Sequence, residues 1–135
     1  METFKIHVSK TPTGYCASMD ELKGWIVGVQ GSFSDLQKEV KNSIDFYVEC
    51  AKADGDEYPA ALDGNYDLQY VFTMESLLSF YDGIISRAAL SRLTGINERQ
   101  LGHYICGRSY PRINQAQKIV SALNKLGKEL SSISV

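Results

Sequence analysis

The sequence predicts an α+β fold in two parts, a β-β-β-α-β domain over residues 1–72 followed by an all-helical domain over residues 73–135. Three observations lead there. Three short segments near the start, and a fourth just before residue 73, alternate apolar and polar residues with a period of two. Beyond residue 73 apolar residues recur at helical spacing in short blocks punctuated by glycine. Charge divides at nearly the same place: residues 1–70 hold 6 Lys and no Arg against 12 Asp plus Glu, a net of −6, whereas residues 71–135 hold 8 Lys plus Arg against 4 acids, a net of +4. The overall formal charge of −2 therefore conceals two modules of opposite character, and the basic one is a candidate for phosphate. With 135 residues, 44% hydrophobic content and only 3 prolines, the chain is able to bury a core, as one domain or as two small ones.

Phe4, Ile6 and Val8 define the first strand, Tyr15, Ala17 and Met19 the second, and Trp25, Val27 and Val29 the third. Thr11-Pro12-Thr13-Gly14 is turn-forming and Asp20 to Gly24 is a short polar loop, so these strands read as an antiparallel meander. After Gly31 the period changes: Leu36, Val40, Ile44, Tyr47 and Val48 lie on one helical face, and Ser34 with Gln37 fits a capping box. Residues 53–65, rich in Asp, Gly and Pro, read as a loop, after which Tyr66, Leu68, Tyr70 and Phe72 form a fourth strand.

In the second part Thr73 is placed to cap a helix carrying Leu77, Leu78 and Tyr81 until Gly83. Ser86 caps the next, with Ile85 positioned to staple onto Leu90, and Gly95 ends it. Asn97 caps a third helix in which Leu101, Tyr104 and Ile105 face inward while Glu98, Arg99, Gln100 and His103 face out; Gly107 closes it. A fourth runs from about Asn114 to Leu126, burying Ala116, Ile119, Val120, Leu123 and Leu126.

Several classes of function are not indicated. No apolar run approaches the roughly 20 residues of a spanning helix and no signal-peptide block opens the chain, so a cytoplasmic protein is expected. Cys16, Cys50 and Cys106 are odd in number and far apart, with no C-x-x-C, and read as reduced, small core residues. Phosphate-loop, dinucleotide-loop and nucleophile-elbow motifs are absent, and no catalytic, metal-binding or cofactor-binding residue is assigned.

In the first half, Gly14, Tyr15, Ala17 and Ser18 on a strand, Leu22, Gly24, Val27 and Gly28 around the next, and Ile44, Tyr47 and Glu49 at the end of the helix resemble the N-terminal domain of HicB-type antitoxins. The resemblance covers roughly half the chain and implies a partial ribonuclease-H-like fold without activity. An active nuclease of that fold would need converging carboxylates, one of them in the middle of the first strand, and Phe4 to Ser9 contains none. Asp20, Glu21, Asp45 and Glu49 fall in a turn and on an outer helix face, and His7 reads as a solvated or cross-strand side chain.

The second half carries the more specific resemblance. Two short helices separated by Thr94-Gly95-Ile96-Asn97, then Gly107-Arg108-Ser109 leading to Pro111 and a further helix, are similar to the Xre/Cro family of lambda-repressor-like helix-turn-helix domains. Gly102 inside the second helix departs from the pattern and costs about 1 kcal/mol relative to Ala. A recognition helix puts its N-terminal residues at base edges, so Arg99 and Gln100, with Glu98 and His103 beside them, form the expected reading set. Ser86, Arg87, Asn97, Arg108, Ser109 and Tyr110 form the expected phosphate set. Arg92, Lys118, Lys125 and Lys128 read as solvated helix faces.

Together the two resemblances imply an antitoxin of a type II pair, whose first domain blocks a small basic RNA-cleaving toxin of the HicA type and whose second binds double-stranded operator DNA as a homodimer or higher homo-oligomer. The rival reading is a stand-alone regulator whose first domain senses a small molecule or only dimerises.

Overall fold

Residues 1–135 are described by a computed structural model. The fold is α+β, with a four-stranded mixed sheet and five helices, and the chain divides into two compact units, residues 1–76 and 77–135. β1 (Glu2–Thr11) buries Phe4, Ile6 and Val8 against the core, as its alternation requires. The chain turns at Pro12 and Thr13 into β2 (Gly14–Ser18), which places Thr11 opposite Gly14 and Val8 opposite Ala17. A Cβ at Gly14 would sit 2.2 Å from the Val29 carbonyl oxygen of β3 (Ile26–Val29), so only glycine lets these backbones approach. Met19, Leu22 and Trp25 are buried between β2 and β3, and the Trp25 indole N–H donates to Ser43 Oγ at 2.9 Å.

α1 (Phe33–Asp54) lays Leu36, Val40, Ile44, Val48 and Ala51 on one face of the sheet, with Tyr47 only half-buried. Its cap is Ser32, not Ser34: Ser32 Oγ accepts from the Asp35 N–H and Asp35 Oδ2 accepts from the Ser32 N–H, both at 3.1 Å. The reason is Phe33. It is in phase with Leu36 and Val40, and its ring packs 5.1 Å from that of Tyr70 and 5.5 Å from that of Phe72, which draws the helix start two residues earlier. The expected loop is also shorter, because α1 continues to Asp54 and a 3-10 turn at Ala60–Asp63 buries Leu62. β4 (Tyr66–Phe72) then pairs parallel with β1, Phe4 opposite Leu68 and Ile6 opposite Tyr70, to give the order β3-β2-β1-β4. A parallel neighbour needs a crossover, and α1 supplies it.

The capping box makes α1 sensitive to acid. Hydrogen bonds from the backbone and side chain of Ser32 hold the Asp35 carboxyl below its ordinary pKa of 3.8. A carboxyl depressed on folding contributes stability above its unfolded pKa and loses it as pH falls through the folded value. As pH falls from about 5 to about 3, resistance to unfolding by urea should therefore drop more steeply in the wild type than in Asp35→Asn; equal slopes would show that this carboxylate contributes nothing.

In the second unit the helix ends follow the expected caps. Thr73 Oγ1 accepts from the Ser76 N–H at the start of α2 (Met74–Tyr81). Ser86 caps α3 (Arg87–Thr94) through the Ala89 N–H, and Gly95, at φ +77°, stops it in the left-handed region. Asn97 caps α4 (Glu98–Ile105), and Gly107 follows it. Leu90, Ile96, Leu101, Tyr104, Ile105 and Ile119 form the core. α5 (Ile113–Ser131) is longer than expected, and only Ile119 of its predicted buried stripe is fully buried. Val120 is 41% exposed, because the core side of α5 is rotated toward Ile119 and Leu126. Nor do the cysteines fill cores: Cys50 and Cys106 are exposed and Cys16 is half-buried, all three free.

Candidate nucleic-acid interface

α3, the turn after it and α4 are locked by local bonds. Thr94 Oγ1 donates to the Leu90 carbonyl at 2.8 Å and accepts from the Ile96 N–H at 3.1 Å, which seats buried Ile96 beneath the turn. Asn97 Oδ1 accepts from the Gln100 N–H at 2.8 Å and opens α4. The phase of α4 is then decided by Leu101, Tyr104 and Ile105, all buried. Burial of these three turns Glu98 and Arg99 into solvent, where neither has a hydrogen-bond or ion-pair partner, and leaves Gln100 and His103 half-exposed.

The loop after α4 is tied to it. The His103 carbonyl accepts from the N–H groups of Arg108 and Ser109 at 2.9 and 3.3 Å, and Gln100 Nε2 donates to Ser109 Oγ at 3.1 Å. Ser109 thus orients Gln100, whose amide oxygen and second N–H stay available to a base edge. Arg108 and Tyr110 remain exposed, Tyr110 by 73%. One residue of this surface was absent from the sequence-based set. Arg112, at the cap position of α5, lines a notch of about 440 Å³ with Asn97, Gln100, Tyr110 and Gln115. Its signal in the sequence was its place at the end of the loop and the start of a helix, where a cation meets backbone N–H groups able to hold an anion.

Arg87 lies differently from the other basic residues. Its guanidinium donates from Nε and Nη2 to Asp82 at 3.2 and 3.4 Å, and this partner raises its pKa. It also explains Gly102, since a Cβ there would meet Arg87 Nη1 at 3.0 Å. The close approach that glycine permits is thus by a side chain. Because that neighbour is the far end of a flexible arginine, Gly102→Ala should raise stability by up to about 1 kcal/mol through helix propensity, read from thermal melts. A loss of stability would mean that the Arg87 position is rigidly held.

The two units differ sharply in charge. Residues 77–135 hold 8 Lys plus Arg against 3 acids, a net of +5, and residues 1–76 hold 6 against 13, a net of −7. Of the 8 basic residues in the helical unit only Arg87 is in an ion pair; Arg92, Arg99, Arg108, Arg112, Lys118, Lys125 and Lys128 are exposed and unpaired. In the sheet unit His7 Nε2 lies 3.4 Å from exposed Asp20, and no three His, Cys, Asp or Glu side chains anywhere are grouped so as to hold a metal ion. No helix is long and apolar enough to cross a membrane. Comparison with protein-family models, curated proteins and solved structures finds no match to this chain.

Proposed function

We propose that the helical unit is a lambda-repressor-like helix-turn-helix that binds double-stranded operator DNA, and that the chain as a whole is the HicB-type antitoxin of a type II toxin-antitoxin pair acting in the cytoplasm. The observation that carries the DNA reading is the division of α4, with Leu101, Tyr104 and Ile105 buried and Glu98 and Arg99 fully presented beside an unpaired basic surface. In this reading α4 enters the major groove, Arg99 pairs bidentately with guanine, and Gln100, steadied by Ser109, reads adenine. Glu98 and His103 flank them. Ser86, Arg87, Asn97, Arg108 and Tyr110, joined by Arg112, set the register on phosphates.

The sheet unit binds and blocks a small basic, HicA-type, mRNA-cleaving toxin. Supporting this are its resemblance to HicB domains, the β-β-β-α-β order with β4 parallel to β1, and a net charge of −7 that complements a protein built for RNA phosphate. The chain itself is not an enzyme and takes no metal or cofactor. It represses its own operon as a homodimer or higher homo-oligomer.

The test is co-expression of the tagged chain with the short open reading frame beside its gene, followed by pull-down and a growth assay. A stable complex with rescued growth is expected. Promoter binding without partner or rescue would replace the antitoxin by a stand-alone Xre-type regulator.

A further inference from the structure

Arg87 is the one cation of the helical unit held by an acid, and both partners stand on fixed backbone. Asp82 lies in the turn after α2, where the N–H groups of Ile84 and Ile85 donate to the Tyr81 carbonyl at 3.0 and 2.8 Å. Arg87 is the first residue of α3, whose cap Ser86 accepts through Oγ from the Ala89 N–H at 3.1 Å. The two side chains line one apolar hollow with Tyr81, Ile85, Leu90 and Ile105, which leaves the arginine stem few directions to take. The pair is an open one, its side chains 48% and 34% exposed, so it contributes little to folding. What it does decide is where the guanidinium points.

The donors that the pair uses determine those it leaves. Asp82 accepts from Nε and Nη2 at 3.2 and 3.4 Å, a side-on arrangement, and both N–H donors of Nη1 are left over. Nη1 stands at α4, 3.0 Å from where a Cβ on Gly102 would be. At about 100° per residue, Gly102 falls between Glu98 and Arg99 on the outward side of α4, about one turn further along. The space left by the missing side chain is thus where the arginine head is aimed, on the same side of α4 as Arg99.

We infer that Asp82 is a positioning residue for DNA binding: it fixes Arg87 with Nη1 over Gly102, so that the free donors meet a backbone phosphate while α4 lies in the groove. The inference rests on the proposed DNA binding and adds to it an acid that strengthens the hold on a polyanion. The physical reason is entropy. A free arginine gives up rotamer freedom when it takes a phosphate, whereas one already held by a carboxylate has given it up on folding. The acid's own repulsion of that phosphate is the weaker effect, since the guanidinium stands between them and salt screens what remains.

The test is fluorescence anisotropy of the full chain on a duplex taken from the DNA upstream of its gene and on a scrambled duplex of the same length. Asp82→Ala is expected to lower affinity about threefold or more, alike on both duplexes, with little change in melting temperature. Removal of a negative charge by itself would raise affinity, so the sign decides. In the Arg87→Ala background the same substitution should leave affinity unchanged or raise it, because the acid then has nothing to hold. An Asp82→Ala chain that binds as tightly as the wild type or more tightly, a loss repeated in full in the Arg87→Ala background, or a melting temperature that falls in step with affinity would each overturn the inference while leaving DNA binding in place. A wild type that binds neither duplex would overturn the DNA reading, and this inference with it.

Discussion

Arg99→Ala is expected to lower affinity for the operator by about 5- to 150-fold, the loss of roughly 1–3 kcal/mol that one bidentate arginine–guanine pair contributes. The melting temperature should not move, because Arg99 is exposed, has no partner in the protein and sits on a face that α4 does not pack. Fluorescence anisotropy at one fixed salt concentration, on the operator and on a scrambled duplex, checks both parts. Base reading is expected to cost affinity on the operator far more than on the scrambled sequence. An equal loss on both would make Arg99 a phosphate contact, and unchanged affinity would remove it from the interface. Under the proposed assignment of toxin binding to the sheet unit, neutralisation should survive the substitution.

Leu101→Ala, two residues along the same helix, should do the opposite. Leu101 is fully buried, and truncating such a side chain costs about 2–5 kcal/mol, a large part of the 5–15 kcal/mol that holds a typical domain folded. The expected result is a substantially lower melting temperature of the helical unit and loss of DNA binding at temperatures where the wild type still binds. Leu101→Met, which conserves volume, should cost less than about 1.5 kcal/mol and restore binding. A Leu101→Ala protein with wild-type stability would contradict the placement of α4 against the core. The contrast between Arg99 and Leu101 separates the surface proposed to read DNA from the packing that aims it.

Much of the helical unit was legible because its signals are local. Ser86, Gly95, Asn97 and Gly107 act within a few residues of themselves, on orphan N–H groups or on a left-handed turn, so spacing alone locates the helix ends. The inward and outward faces of α4 followed from the period of Leu101, Tyr104 and Ile105. Alternation likewise placed Phe4, Ile6 and Val8 inside β1. The candidate site was less legible. Nothing in the sequence joins Arg87 to Asp82 or Gln100 to Ser109, since each pair forms only after separate segments have been packed, and Arg112 becomes part of the surface only through the notch it shares with Asn97 and Gln100.

The sequence by itself determined the element order, the split into an acidic and a basic half, and the residues that α4 exposes, because each depends on periodicity or capping within a few residues. Only the tertiary structure decided the rest. That β4 runs parallel to β1 at the sheet edge, that Phe33 on Tyr70 and Phe72 moves the start of α1 to Ser32, and that α5 leaves Val120 uncovered are outcomes of packing between distant segments. Such outcomes depend on which surfaces meet, and hydrophobic burial has no direction of its own to write them into a local pattern.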